Sequence, residues 1–129
     1  MPILRYAETP IDAGDPGVAA RRLVNQAMGS RSITMGISTF EPGAGIFLHP
    51  HPCEETVVVL DGEAMAELDG EVVTLRQYDT SFMPPRVPHR FWNASDRPMT
   101  MCYFYPMTDG LTRDPINPED AHGHQNAHY

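Results

Sequence analysis

The sequence predicts an all-β fold, an antiparallel sandwich or barrel with little helix. Short stretches of β-branched and aromatic residues alternate apolar with polar at a period of two. Two Asp-Gly pairs, Asp61-Gly62 and Asp69-Gly70, fall close together, and Asp-Gly between such stretches is a strong hairpin signal. The stretches recur at regular short spacing, as in sandwiches and small barrels.

Taken in order, residues 1–17 are rich in Pro, Asp and Gly and read as an extended arm on which Tyr6 packs. Asp15, Pro16 and the following VAARRLVNQAMG carry helix signals: Asp15 as N-cap, Pro16 at the first position and Gly29 as the stop. From Ser32 the period becomes two, with Ile33, Met35, Ile37 and Thr39 on one face and Thr34, Gly36, Ser38 and Phe40 on the other. Glu41, Pro42 and Gly43 turn the chain. Residues 56–60 form a β-branched strand closed by Asp61-Gly62. In the next strand Glu63, Met65 and Glu67 are expected outside and Ala64, Ala66 and Leu68 inside, before Asp69-Gly70 leads into Val72, Val73 and Leu75. Residues 80–83, 90–93 and 100–105 add further strands. The tail, with His122, His124 and His128, is polar and reads as solvated. The chain thus divides into an arm with a first strand or short helix (1–31), a β core (32–107) and a tail (108–129).

Composition excludes several functions. A net charge of -8 and a pI near 5.0 oppose nucleic-acid binding, which needs a basic stripe. All nine cations are arginine, so lysine Schiff-base chemistry and a lysine-anchored pyridoxal cofactor are ruled out. The longest aliphatic runs are too short for a bilayer, and the first residues have no signal-peptide character, so a protein off the membrane is expected. Two cysteines, Cys53 and Cys102, are too few for a disulfide framework, and a reduced, cytoplasmic setting fits them better.

The chemistry concentrates in GAGIFLHPHPCEETVVVLDG, residues 43–62. His49 and His51 share one face of an extended segment, and Glu55 follows after a Pro-containing bend. Imidazoles and a carboxylate suit a divalent transition metal, and His89 is the candidate for a further ligand, since outside the tail the chain has no other histidines. The spacing Gly43, His49, His51, Glu55, Gly62 matches, without a gap, the first motif of the cupin family. Chance agreement at five such positions is expected on the order of once in a hundred thousand chains. The second cupin motif is similar to residues 78–93, with Pro84, His89 and Asn93 in register and Tyr78 and Arg86 standing where the family has glycines. The resemblance spans residues 32–105. It implies an antiparallel jelly-roll β-barrel, a strand in place of the helix after Asp15, and a single metal ion per chain on His49, His51, Glu55 and His89.

Period two from His89 places Phe91 and Asn93 on its face and sends Arg90 and Trp92 the other way; Phe47 shares a face with His49 and His51. Phe47, Phe91, Asn93 and Cys53 are the candidate pocket residues, each with an ordinary core role as its alternative. Arg86 is a candidate clamp for an anionic substrate, or else a surface ion-pair partner. Tyr103 and Tyr105 share parity with Met99 and Met101 and are candidate proton donors if that face lines the barrel. Three histidines and one carboxylate leave positions open on an octahedral ion, with Fe or Mn favoured and Zn, Ni, Cu or Co also accommodated. The resemblance implies a metal-dependent enzyme: a dioxygenase, decarboxylase, lyase or isomerase/epimerase acting on a small oxygen-bearing molecule. Oxygenase or lyase chemistry ranks first, and a non-catalytic metabolite sensor is the alternative from another class. The resemblance also implies a homodimer.

Overall fold

A computed structural model describes residues 1–12 and 14–108, so the expectations for the histidine-bearing tail lie outside the described residues. Among the described residues, nine strands form two antiparallel sheets with almost no helix. They are β1 (Ile11–Asp12), β2 (Val18–Val24), β3 (Thr34–Phe40), β4 (Glu55–Asp61), β5 (Ala64–Leu68), β6 (Glu71–Leu75), β7 (Thr80–Met83), β8 (His89–Trp92) and β9 (Met99–Tyr105). One sheet has the order β1-β2-β3-β9-β4-β7 and the other β6-β5-β8, with bridges from Gly45 to Trp92 and His49 to His89 laying the preceding loop beside β8. The inner faces of both sheets supply one core, in which Val57, Met101 and Tyr103 from the first meet Ala66 and Phe91 from the second. This is the all-β class read from the sequence.

The helix signals after Asp15 end in a strand. Residues Val18–Val24 pair with β3 through a ladder that includes Val18 to Phe40 and Arg22 to Gly36, broken by a bulge before Val24. The sheet wins because the ladder satisfies the backbone and shields β3, which an isolated helical turn would not. The start signals instead make a turn, with Gly17 at φ 75 and Val18 N–H donating to the Asp15 carbonyl. The stop signal is genuine at smaller scale: Gly29, at φ 106, ends a three-residue 3-10 helix, Gln26–Met28, capped by Asn25. Arg21 straps the arm down by donating to the carbonyls of Tyr6 and Thr9, with its guanidinium 4.6 Å from the Tyr6 ring centre.

On β3 the smaller, more polar face is the inner one: Thr34, Gly36, Ser38 and Phe40 are buried or inward, and Met35, Ile37 and Thr39 point out. Gly36 has a steric reason, because a Cβ there would collide with the Tyr103 hydroxyl and the Arg21 carbonyl. β9 settles its parity the same way, with Met99, Met101, Tyr103 and Tyr105 buried. The outer face of the larger sheet carries an aligned row across five strands, Val24, Met35, Phe104, Thr56 and Phe82, with no charge in it. Phe82 and Phe104 on that row are exposed.

Among the described residues, three other than glycine have positive φ: Asp69 (50), Tyr78 (69) and Arg86 (66). Asp69 and Gly70 (φ 84) together make the left-handed pair of a type I′ hairpin turn. Tyr78 and Arg86 occupy the glycine positions of the second motif and adopt the glycine conformation all the same, each held by a short backbone bond, Tyr78 N–H to Val59 O and Arg86 N–H to His51 O, both 2.6 Å.

Candidate metal centre

Three chain segments converge at the end of the core where β4 and β8 begin and β9 ends. His49 sits on the loop that bridges to β8, and its backbone exchanges both hydrogen bonds with His89 at 3.0 Å. Pro50 and Pro52 then flank His51; lacking N–H groups, they cannot extend the ladder, and the chain leaves β8 and bends toward β4. Glu55 opens β4 opposite Met83 and starts its inward alternation through Val57 and Val59.

His49, His51, Glu55 and His89 are all almost fully buried. One ring nitrogen from each histidine falls within 4.8 Å of the others. His49 Nδ1 is 2.7 Å from the Phe47 carbonyl and His89 Nδ1 is 2.8 Å from that of Val87. A carbonyl only accepts, so both Nδ1 atoms carry the proton and both Nε2 lone pairs point inward. Glu55 completes the group, with Oε1 3.2 Å from His89 Nε2 and Oε2 3.8 Å from His51 Nε2.

This donor set fits a metal ion. His49 Nε2 and His51 Nε2 are 3.2 Å apart. Ligands on bonds of about 2.1 Å would stand about 3.0 Å apart at right angles and about 3.4 Å apart at the tetrahedral angle, so the spacing suits either geometry. A buried carboxylate among imidazoles is also a suitable charge partner for a bound cation. The Nδ1 bonds to backbone carbonyls are the outer-shell contacts that orient histidine ligands.

The other sequence candidates divide. Phe47 packs edge-on against His49, ring centres 5.5 Å apart, and Phe91 lies 6.3 Å from His89. Tyr105 lies 6.1 Å from His51 and stacks on Tyr103. Burial, foremost, pushes both tyrosine hydroxyls far above their ordinary range, so both stay protonated. Cys53 is half-buried against the core, and burial followed by the Glu55 charge raises its thiol, so it is no ready thiolate. Asn93 has its hydrogen-bonding capacity committed: Nδ2 donates to the carbonyls of Phe40 and Arg97, and Oδ1 accepts from the Ser95 N–H and hydroxyl. It fixes a turn, leaving a ligand little to bond. Arg86 is exposed on its loop, attached to the centre by its backbone bond to His51.

Sequence reasoning missed Arg22. Register with Gly36 turns it to the inner face of β2, and its charge acts on both tyrosine hydroxyls. The helix signals hid it, since strand parity was the signal that finds it.

The fold and the buried histidine cluster define a double-sheet β protein with a candidate metal centre in its core. The match of residues 36–105 to the cupin domain model identifies the lineage: the chain belongs to the cupin family. Among curated relatives, polyketide synthase CurC of Streptomyces cyaneus is 33% identical over 98 residues, 75% of this chain and 58% of that one. Auxin-binding protein 4 of Zea mays is 29% identical over 79 residues, 54% of this chain and 39% of that one. The chain thus spans roughly half the length of the curated relatives it matches. Among solved structures, the polyketide cyclase RemF from Streptomyces resistomycificus superposes with a TM-score of 0.79 at 18% identity, covering 93% of this chain and 89% of that one. A sugar phosphate isomerase from Silicibacter pomeroyi gives 0.75 at 20%, covering 92% and 99%. At those identities the structures speak for fold alone.

Proposed function

We propose that this cupin is a metal-dependent enzyme of lyase or cyclase type, acting on a small oxygen-bearing substrate without net oxidation. The observation that carries the reading is the convergence of three buried imidazoles, two with their Nε2 lone pairs set by backbone carbonyls, on the Glu55 carboxylate. A divalent ion held by His49, His51, Glu55 and His89 would supply Lewis-acid polarisation of a substrate carbonyl. Phe47 and Phe91 wall the histidines and keep water out. Tyr105, protonated and beside His51, gives a proton to substrate oxygen in this reading, and Tyr103, stacked on it, holds its ring. The names of the relatives, a polyketide synthase and a polyketide cyclase, favour carbonyl chemistry over oxygen insertion. An anchor for an acidic group would have to come from the rim, where Arg86 is one candidate.

Fe or Mn is the favoured ion, because the single carboxylate in an imidazole set favours harder cations. The charge-free outer row of the larger sheet supports a homodimer. Two free cysteines fit a reducing compartment.

Metal analysis of untagged protein truncated after Pro118 tests the site. About one ion per chain is expected to survive truncation, and His49→Ala is expected to abolish it. Loss on truncation with retention in His49→Ala would place the metal on the tail. Oxygen-electrode measurements with a panel of β-dicarbonyl compounds then separate the chemistry: turnover without oxygen uptake is expected, and uptake stoichiometric with substrate would make the enzyme an oxygenase.

A further inference from the structure

We propose that Arg22 binds the anionic end of the substrate at the rim of the metal centre, so that the substrate class is an oxygen-donor compound bearing a negative charge at its far end. This rests on the metal-centre reading above. Arg22 stands on β2 opposite Gly36, and side chains of register partners share a face, so it projects inward over a residue with no side chain of its own. The space a Gly36 side chain would fill is taken by the Tyr103 hydroxyl. The guanidinium therefore stands on the same inner face as the Tyr103 hydroxyl, and its charge acts on both Tyr103 and Tyr105.

The guanidinium is positioned yet not consumed. Asp12 takes one edge, accepting from Nε at 3.1 Å and lying 3.1 Å from Nη2. The described residues place no hydrogen-bond partner on Nη1, so a second edge remains for an anion, and a planar fork held on one side is well prepared to bind on the other. Arg22 also lines a cavity of about 340 Å³ together with Asp12, Gln26 and Thr108, where β2 ends beside the start of β3 and the exit of β9. The one residue thus borders both the tyrosine pair and an opening. Arg86 has neither property: its side chain is exposed, and its link to the centre is through its backbone.

Geometry also sets the ligand's length. Three strand spacings, about 14 Å, separate β2 from β4 along the sheet, and the extended Arg22 side chain spans part of that distance. A ligand joining the two ends is then an aromatic-sized molecule rather than a two-carbon acid.

The test uses metal-loaded full-length protein with two probes, benzoylacetone and its para-carboxylate, titrated calorimetrically. Wild type is expected to bind the carboxylate at least about tenfold more tightly, and Arg22→Gln to lose that preference while still binding the neutral probe. Asp12→Asn, which removes the ion pair but keeps the guanidinium, is expected to retain the preference. The proposal is overturned if wild type shows no preference, if the preference survives Arg22→Gln, if Asp12→Asn loses it equally, or if Arg86→Gln removes it instead. Metal content measured on the same samples keeps the two readings apart. Protein that takes up no metal on loading yet keeps an Arg22-dependent carboxylate preference would sink the metal-centre reading alone, whereas metal-bearing protein that takes both probes equally would sink the anchor alone.

Discussion

Glu55 is the single carboxylate among three neutral imidazoles, so it lowers the charge of a bound divalent ion's site from +2 to +1. Glu55→Gln keeps the volume and removes the charge. The variant is expected to fold normally, to bind Mn or Fe more weakly by an order of magnitude or more, and to keep Zn or Cu on the histidines, as metal titration will read. Glu54 is exposed and one residue out of phase, and Glu54→Gln is expected to change nothing. Metal loss from Glu54→Gln alone would mean that the strand register is off by one. A second residue-scale consequence concerns Tyr78, at φ 69 in a motif position where the family has glycine. Left-handed backbone costs an L-residue about 1–2 kcal/mol, so Tyr78→Gly is expected to be more stable than Tyr78→Ala by about 1 kcal/mol in urea unfolding. In ordinary strand the order would be reversed.

Strand elements were legible wherever side chains alternate over a continuous stretch. β4, β5, β6 and β7 fall where β-branched runs and Asp-Gly turns put them, because turn chemistry and period two act locally. β2 was ambiguous for a physical reason: Asp15, Pro16 and Gly29 satisfy local helix rules, and pairing with the following strand β3, which those local rules do not read, overrides them. The inner face of β3 was equally illegible. Hydrophobicity argues for burying Met35 and Ile37, but the space inside is set by Tyr103, which leaves room only for Gly36 at that level. The candidate ligands His49, His51 and Glu55 were readable because their spacing is local, and His89 because it is in register with the second motif. What each pocket residue does was not, since the commitment of Asn93 to a turn and the inward aim of Arg22 arise only when separate strands meet.

At the scale of the molecule, a chain with a charge of -8 keeps its acids off one row, Val24, Met35, Phe104, Thr56 and Phe82. Light scattering is expected to show dimers for wild type and monomers for Phe82→Glu/Phe104→Glu, with metal content unchanged; a wild type that is monomeric at working concentration would remove that surface from the account. The candidate ligands also have a mechanical meaning. His49 and His89 are cross-paired at the edge of the smaller sheet, while Glu55 begins a strand of the larger one, so the cluster joins two layers that share no backbone ladder among the described residues. An ion there would act as a rivet. Chelation is accordingly expected to speed amide hydrogen exchange in β8 and residues 45–51 while β3 and β9, zipped along their full length, keep their protection. The same asymmetry gives the protein a seam: an empty centre would let the smaller sheet part from the larger at its metal end, making ion exchange and the admission of a bulky ligand one and the same opening.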